Sequence, residues 1–198
     1  MVAERASGIR SAELFKAQLL YPVGLTRTAV DDMADVVAGR ATGYEPAAAA
    51  AGGFRNTLPA SLAWPGGAGS MRSTTDDLCR WHHRLLGGHI LRAQSLALML
   101  TPVRLADGTL PPRPVNAPPG LTGQLRYGLG IRMETENGRE LISHTSGFEG
   151  FLTELTSYPR QRVTVAVMTN SGRIDNGANS NEDALRAVLR EAARIALS

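Results

Sequence analysis

Several residues in this chain have the type and spacing for chemistry. His144 and Ser146 stand two apart, with Thr145 between them and Gly147 next. A serine hydroxyl beside an imidazole is the start of a nucleophile-and-base arrangement, because the imidazole can take the hydroxyl proton. Residues two apart on a strand share a face, so the pair is geometrically allowed. That mechanism also needs a third group to orient the imidazole, and no residue stands out for it. The alternative is a solvated histidine at a strand end. Cys79 and His83 are four apart, with His82 alongside and His89 beyond. On a helix that spacing suits two zinc ligands, but the four-ligand set is missing. A core cysteine with surface histidines explains the same residues. Asp76 and Asp77 read as first-turn charges favoured by the helix dipole rather than as catalytic acids. Trp64, in a Pro-Gly-rich stretch, could line a site.

Elements legible in the apolar period must position these groups. Residues 11–20 predict a helix with Leu14, Phe15, Leu19 and Leu20 on one face. Pro22, which lacks a backbone donor, ends it. Residues 44–70 hold Ala47 to Ala51, Gly52-Gly53 and Pro65-Gly66-Gly67, a loop without a period. Ser73-Thr74-Thr75-Asp76 opens a helix with an N-cap signature, and Leu78, Trp81, Leu85 and Leu86 supply its buried face. Gly87-Gly88 stops it. A shorter helix runs from Ala93 to Leu100, closed by Pro102. Residues 103–126 carry prolines at 111, 112, 114, 118 and 119, and read as an irregular lid or insert. Strands follow at Tyr127–Thr135 and Arg139–Ser143, around Asn137-Gly138, a dipeptide that tolerates positive φ in a tight turn. A second pair, Phe151–Ser157 and Arg162–Thr169, flanks Tyr158-Pro159-Arg160. Val163, Val165, Ala166, Val167 and Met168 form a run apolar on both faces, as in a central strand. Ser180-Asn181-Glu182-Asp183 is a capping-box variant. It opens an amphipathic helix with Leu185, Val188, Leu189, Ala192, Ile195 and Ala196 on one stripe. The sum is α+β: an antiparallel sheet with a C-terminal helix beside a helical region.

Composition narrows the classes. With 198 residues, 43% hydrophobic and 20% charged, collagen-like and wholly disordered readings fall, and one domain is expected. The net charge of +3 is carried by arginine, since Lys16 is the only lysine. The basic stretch Arg80–Arg92 and the stripe Arg186, Arg190, Arg194, interrupted by Glu191, read as solvated helix faces. No nucleic-acid motif accompanies them, so no nucleic-acid partner is expected. No apolar run reaches the roughly 18 residues of a membrane span, and Met1 to Gly8 lacks the apolar region of a secretory signal. A single cysteine, Cys79, allows no internal disulfide. No cofactor is implied.

Gly69-Ser70-Met71-Arg72-Ser73-Thr74-Thr75-Asp76-Asp77-Leu78-Cys79-Arg80-Trp81 resembles a block of the serine β-lactamase-related hydrolases. These include class C β-lactamases, D-alanyl-D-alanine carboxypeptidases (penicillin-binding proteins) and esterases. The resemblance continues, in family order, through Leu91 to Pro102, Tyr127-Gly128-Leu129-Gly130, His144-Thr145-Ser146-Gly147-Phe148-Glu149-Gly150-Phe151 and Met168-Thr169-Asn170. Upstream, Ala6-Ser7-Gly8 and Tyr21 to Thr28 fit it as well. It implies a β-lactamase/transpeptidase-like fold and chemistry in which a serine attacks a carbonyl, a lysine or tyrosine moves the proton, and backbone N–H groups hold the oxyanion. Two family motifs are absent from the sequence. Glu13 stands three residues before Lys16, so there is no S-x-x-K. Tyr21, Tyr44, Tyr127 and Tyr158 are followed two residues later by Val23, Pro46, Leu129 and Arg160, so there is no Y-x-N.

The resemblance implies a third-motif role for His144, in orienting substrate, and an oxyanion-hole N–H at Gly147, where a small residue allows close approach. Thr145, Ser146, Gly150 and Phe151 would bind substrate; Ser146 departs from the glycine of K-T-G. The expected fold is therefore partial, the C-terminal part of a hydrolase. It is a single partial domain over 1–198: a helical and loop part at 1–102, a Pro-rich loop at 103–126, then strands and helix at 127–198. Two functions are expected from different classes. One is a serine hydrolase segment acting on β-lactams, D-alanyl peptides or small esters, inactive as this chain alone. The other is a non-catalytic ligand- or cell-wall-binding module or partner subunit keeping the same strand. Self-association through an exposed sheet edge is expected in either case.

Overall fold

Period-two alternation builds the sheet, and the two faces it creates take different helices. The computed structural model describes all residues except 1, 48–52, 59–60, 62–64, 113–120 and 173–179. The chain opens with α1 (Val2–Ser7) and α2 (Ser11–Phe15). The helix expected over 11–20 loosens into a π-turn at 16–20 and tightens into a 3₁₀ turn at 21–23 before Gly24 closes it at φ 77°. Two short ladders follow: β1 (Ala29–Val30) pairs with β4 (Met71–Arg72), and β2 (Tyr44–Pro46) with β3 (Phe54–Asn56). The second lies in the stretch 44–70 that the sequence leaves without a period. Trp64 falls outside the described residues.

Helix α3 (Thr75–Leu86) starts where its N-cap signature sits, with the Thr74 hydroxyl accepting from the Asp77 N–H. Helix α4 (Ala93–Met99) follows. Five antiparallel strands then run in chain order: β5 (Leu121–Tyr127), β6 (Arg132–Glu136), β7 (Arg139–Phe148), β8 (Phe151–Tyr158) and β9 (Val163–Thr169). Helix α5 (Ser180–Ala196) packs back on them.

On one face Ile131, Met133 and Ile142 form a core with Leu86, Met99 and Leu100. On the other, Leu141 and Tyr158 pack with Ala193 of α5. Beneath α5 that second face is also ionic, with Arg190 3.0 Å from Glu136 and Arg186 3.7 Å from Glu154. Burial pushes the Glu154 carboxyl up from its ordinary value, and Arg186 opposes it.

Three sequence expectations shift. The Asn137-Gly138 turn forms as read, at φ 49° and 75°, but its first strand breaks in two at 128–131. Gly128 passes so close to α4 that a Cβ there would lie 2.1 Å from the Met99 carbonyl oxygen. The strand before that break, β5, falls inside the stretch read as irregular. The β9 run, read as central, is the last strand of the described sheet, and its apolar faces are covered by α3 and α5.

Candidate functional site on strand β7

The register places His144 inside a strand rather than at its end. Pairing of β7 with β6 stops at Ser143, opposite Arg132. Pairing with β8 continues to Phe148, opposite Phe151. Among the described residues, 144–147 therefore have a strand on one side only. Alternation in an antiparallel ladder then decides which groups face the open side. The tight turns at 137–138 and 149–150 put hydrogen-bonded pairs at Arg139 and at Phe148. Odd-numbered residues of β7 thus direct N–H and C=O toward β6, and even-numbered ones toward β8. Beyond the end of β6, the backbone groups of Thr145 and Gly147 point into the gap.

Side chains alternate in the same way. His144 and Ser146 share the α3 face with Ile142, while the Thr145 hydroxyl, on the α5 face, accepts from the Arg132 guanidinium at 3.1 Å. His144 is half-buried, and its Nε2 lies 2.8 Å from the Tyr127 hydroxyl. The two rings meet edge-on with centroids 6.0 Å apart. Burial and the neighbouring Arg132 charge hold the His144 imidazole below its ordinary value, and a hydrogen bond with the Thr145 backbone partly offsets them. Ser146 and Gly147 are exposed.

The remaining expected substrate contacts are placed differently. Gly150, at φ 77°, is buried in the β7–β8 turn against Gly43, where an added Cβ would meet the Gly43 backbone at 2.8 Å. Phe151 is turned toward the same segment, since a side chain at Gly43 would run into its ring. Both brace the turn that ends β7.

Sequence reasoning missed two groups. His82, grouped with surface histidines, is buried on α3, with Nδ1 2.9 Å from Ser157 Oγ. Its place between Leu78 and Leu85 on the apolar stripe is the signal that could have found it. Burial, then the charge of His144, lowers it to about 4. Tyr127 carries no local signal, because its partner is 17 residues away and depends on the register. Cys79 is half-buried on α3, and burial pushes its thiol up. Among the described residues no group of three His, Cys, Asp or Glu gathers as a metal site. Two small open pockets, of about 30 and 50 Å³, are bordered by the sheet and α5, and Thr145, Ser146 and Gly147 border the larger.

Residues 1–190 match the sequence model of the family described as Beta-lactamase. The D-amino acid amidase from Ochrobactrum anthropi SV3 shares the fold at TM-score 0.78 and 20% identity, over 100% of this chain and 55% of that one. A penicillin binding protein from Bacillus halodurans superposes at 0.72 and 17% identity, over 96% and 52%. The octameric penicillin-binding protein homologue from Pyrococcus abyssi does so at 0.68 and 19%, over 97% and 40%. This chain thus spans about half the length of the first two and less of the third.

These matches correct four expectations. The recognition of a C-terminal part and the partial fold class give way, because the family match runs from residue 1 to 190 and the amidase fold covers the whole chain. The β-lactamase-type α+β fold occupies essentially all of it. The function expected of an inactive segment or non-catalytic module, and the enzyme reading of a chain without its catalytic region, give way on the same coverage. The physical reason is plain: S-x-x-K and Y-x-N report on a few side chains, whereas the fold is carried by strand register and helix packing along the whole backbone. The β-lactamase-related assignment stands. No helix among the described residues is long and apolar enough to cross a membrane.

Proposed function

The chain belongs to the Beta-lactamase family, and from that premise we propose that β7 is the substrate-binding strand of a hydrolase site for a small amide, peptide, lactam or ester. The carrying observation is the open side of β7 after Ser143, with His144 standing beside it. An extended acyl group laid along that gap pairs with the backbone of Thr145 and Gly147 as an added strand would. The Gly147 N–H donates to the carbonyl oxygen, and that bond strengthens as the oxygen gains charge. His144, neutral and paired with Tyr127, stands beside the gap, where the phenol and imidazole together form a path for a proton. The solved D-amino acid amidase with the same fold makes a primary amide the first ligand to try.

Self-association belongs to the same reading. An unpaired strand edge invites a second copy, and a copy paired at residues 145–147 would occupy the ligand's place.

The test is calorimetric titration with D-phenylalanine amide, a β-lactam and a small ester. Saturable binding of at least one is expected, weakened about tenfold in Gly147→Pro by loss of one hydrogen bond. The substitution removes an outward N–H that the β8 ladder does not use, and its Cβ requires Leu152 Cδ2, 3.2 Å away, to give slightly. Absence of binding by all three, or equal binding by the variant, would contradict the proposal.

A further inference from the structure

The 2.8 Å contact between Tyr127 and His144 is compatible with two proton arrangements, because either ring nitrogen of a neutral imidazole can hold the hydrogen. Relative acidity decides between them: a phenol is a far stronger acid than a neutral imidazole N–H, and a bare imidazole nitrogen is a far stronger base than a phenol oxygen, so the hydroxyl donates and Nε2 accepts. The surroundings of the ring support a neutral state: burial and the Arg132 charge from β6 both disfavour its cation, and His82 of α3 is itself lowered to about 4. His82, already committed to Ser157, is no proton partner for it.

We propose that Tyr127 is a positioning residue for His144: its hydroxyl donates to Nε2, the ring is held as the neutral Nδ1–H tautomer, and the site offers substrate a phenolic oxygen here rather than a cation. This deepens the β7 reading and rests on it only for the word substrate. The geometry itself exists in the unliganded chain. A hydroxyl in place of a cation also suits an uncharged amide or ester end better than a free carboxylate.

The experiment is imidazole ¹⁵N–¹H correlation spectroscopy of the full chain near pH 7, with and without Tyr127→Phe. The expected wild-type pattern has Nδ1 protonated and Nε2 bare. In Tyr127→Phe, Nε2–H signal grows in, and the His144 midpoint rises by about half a pH unit to one unit, the worth of one hydrogen bond to the neutral form. A wild-type ring protonated at Nε2, or a tautomer and midpoint indifferent to the phenol, overturns the proposal. The wild-type spectrum decides alone should the variant not fold. Ligand binding does not enter the readout, so failure of the β7 reading and failure of this one are separately visible.

Discussion

His82 Nδ1 lies 2.9 Å from Ser157 Oγ, and that hydroxyl lies 2.8 Å from Thr164 Oγ1. The chain of three side chains ties α3 to β8 and β9 through groups that must stay neutral to stay buried. His82 is lowered to about 4 in the fold, against 6.5 when exposed. The unfolded chain therefore binds the proton first as pH falls. Stability from this group is complete above about 6.5 and is lost progressively down to about 4, by roughly 3 kcal/mol in all. Urea unfolding at pH 7 and pH 4.5 measures it. In His82→Leu the difference between the two pH values is expected to shrink by most of that amount; an unchanged difference would contradict the assignment.

Asp77 is the second buried polar anchor. It accepts the Arg27 N–H at 2.9 Å and the Thr28 hydroxyl at 2.8 Å, fifty residues back along the chain. Asp77→Ala leaves both donors without this acceptor and is expected to cost about 2–4 kcal/mol in urea unfolding. Asp76→Ala, at the exposed neighbour, is expected to cost under about 1 kcal/mol.

Gly128 is a steric requirement, with the Met99 carbonyl oxygen 2.1 Å from where a Cβ would sit. Gly128→Ala forces β5 and α4 apart, and a loss of about 1–3 kcal/mol is expected in thermal or urea unfolding. Gly67→Ala, where a Cβ meets nothing within 4 Å, serves as the control and is expected within about 0.5 kcal/mol of the parent.

The open edge of β7 predicts a link between assembly and ligand. Sedimentation of the chain with and without D-phenylalanine amide is expected to show a self-associating species that dissociates as ligand is added, because both use the gap at 145–147. Assembly indifferent to a ligand that binds would place the contact elsewhere.

Local signals carried much of the fold. The Asn-Gly turn and the Thr74 cap depend on a few adjacent residues and appear where the sequence puts them, whereas the α5 stripe is rotated: Leu185 and Leu189 are buried with Ala193, and Val188 and Ile195 are exposed. What could not be read depends on distant partners. Strand β5 is polar and follows a proline-rich stretch, so its period is hidden until β6 pairs with it. The strand β7 runs five residues past the expected end because β8, not its own composition, holds it. His144 was legible as a site candidate through its motif neighbours, whereas Tyr127 and His82 reach it only through register and helix packing. The absence of two short motifs suggested a C-terminal part, although the family match runs over residues 1–190 and the amidase fold covers 100% of this chain and 55% of that one.

Function at this site requires that the gap beside β7 receive an acyl group. Backbone amide NMR of the full chain, titrated with D-phenylalanine amide, tests it most directly. Saturable shifts concentrated at Thr145, Gly147 and the His144 ring are expected, with little change on α5. Shifts centred away from β7, or none at saturating ligand, would contradict it.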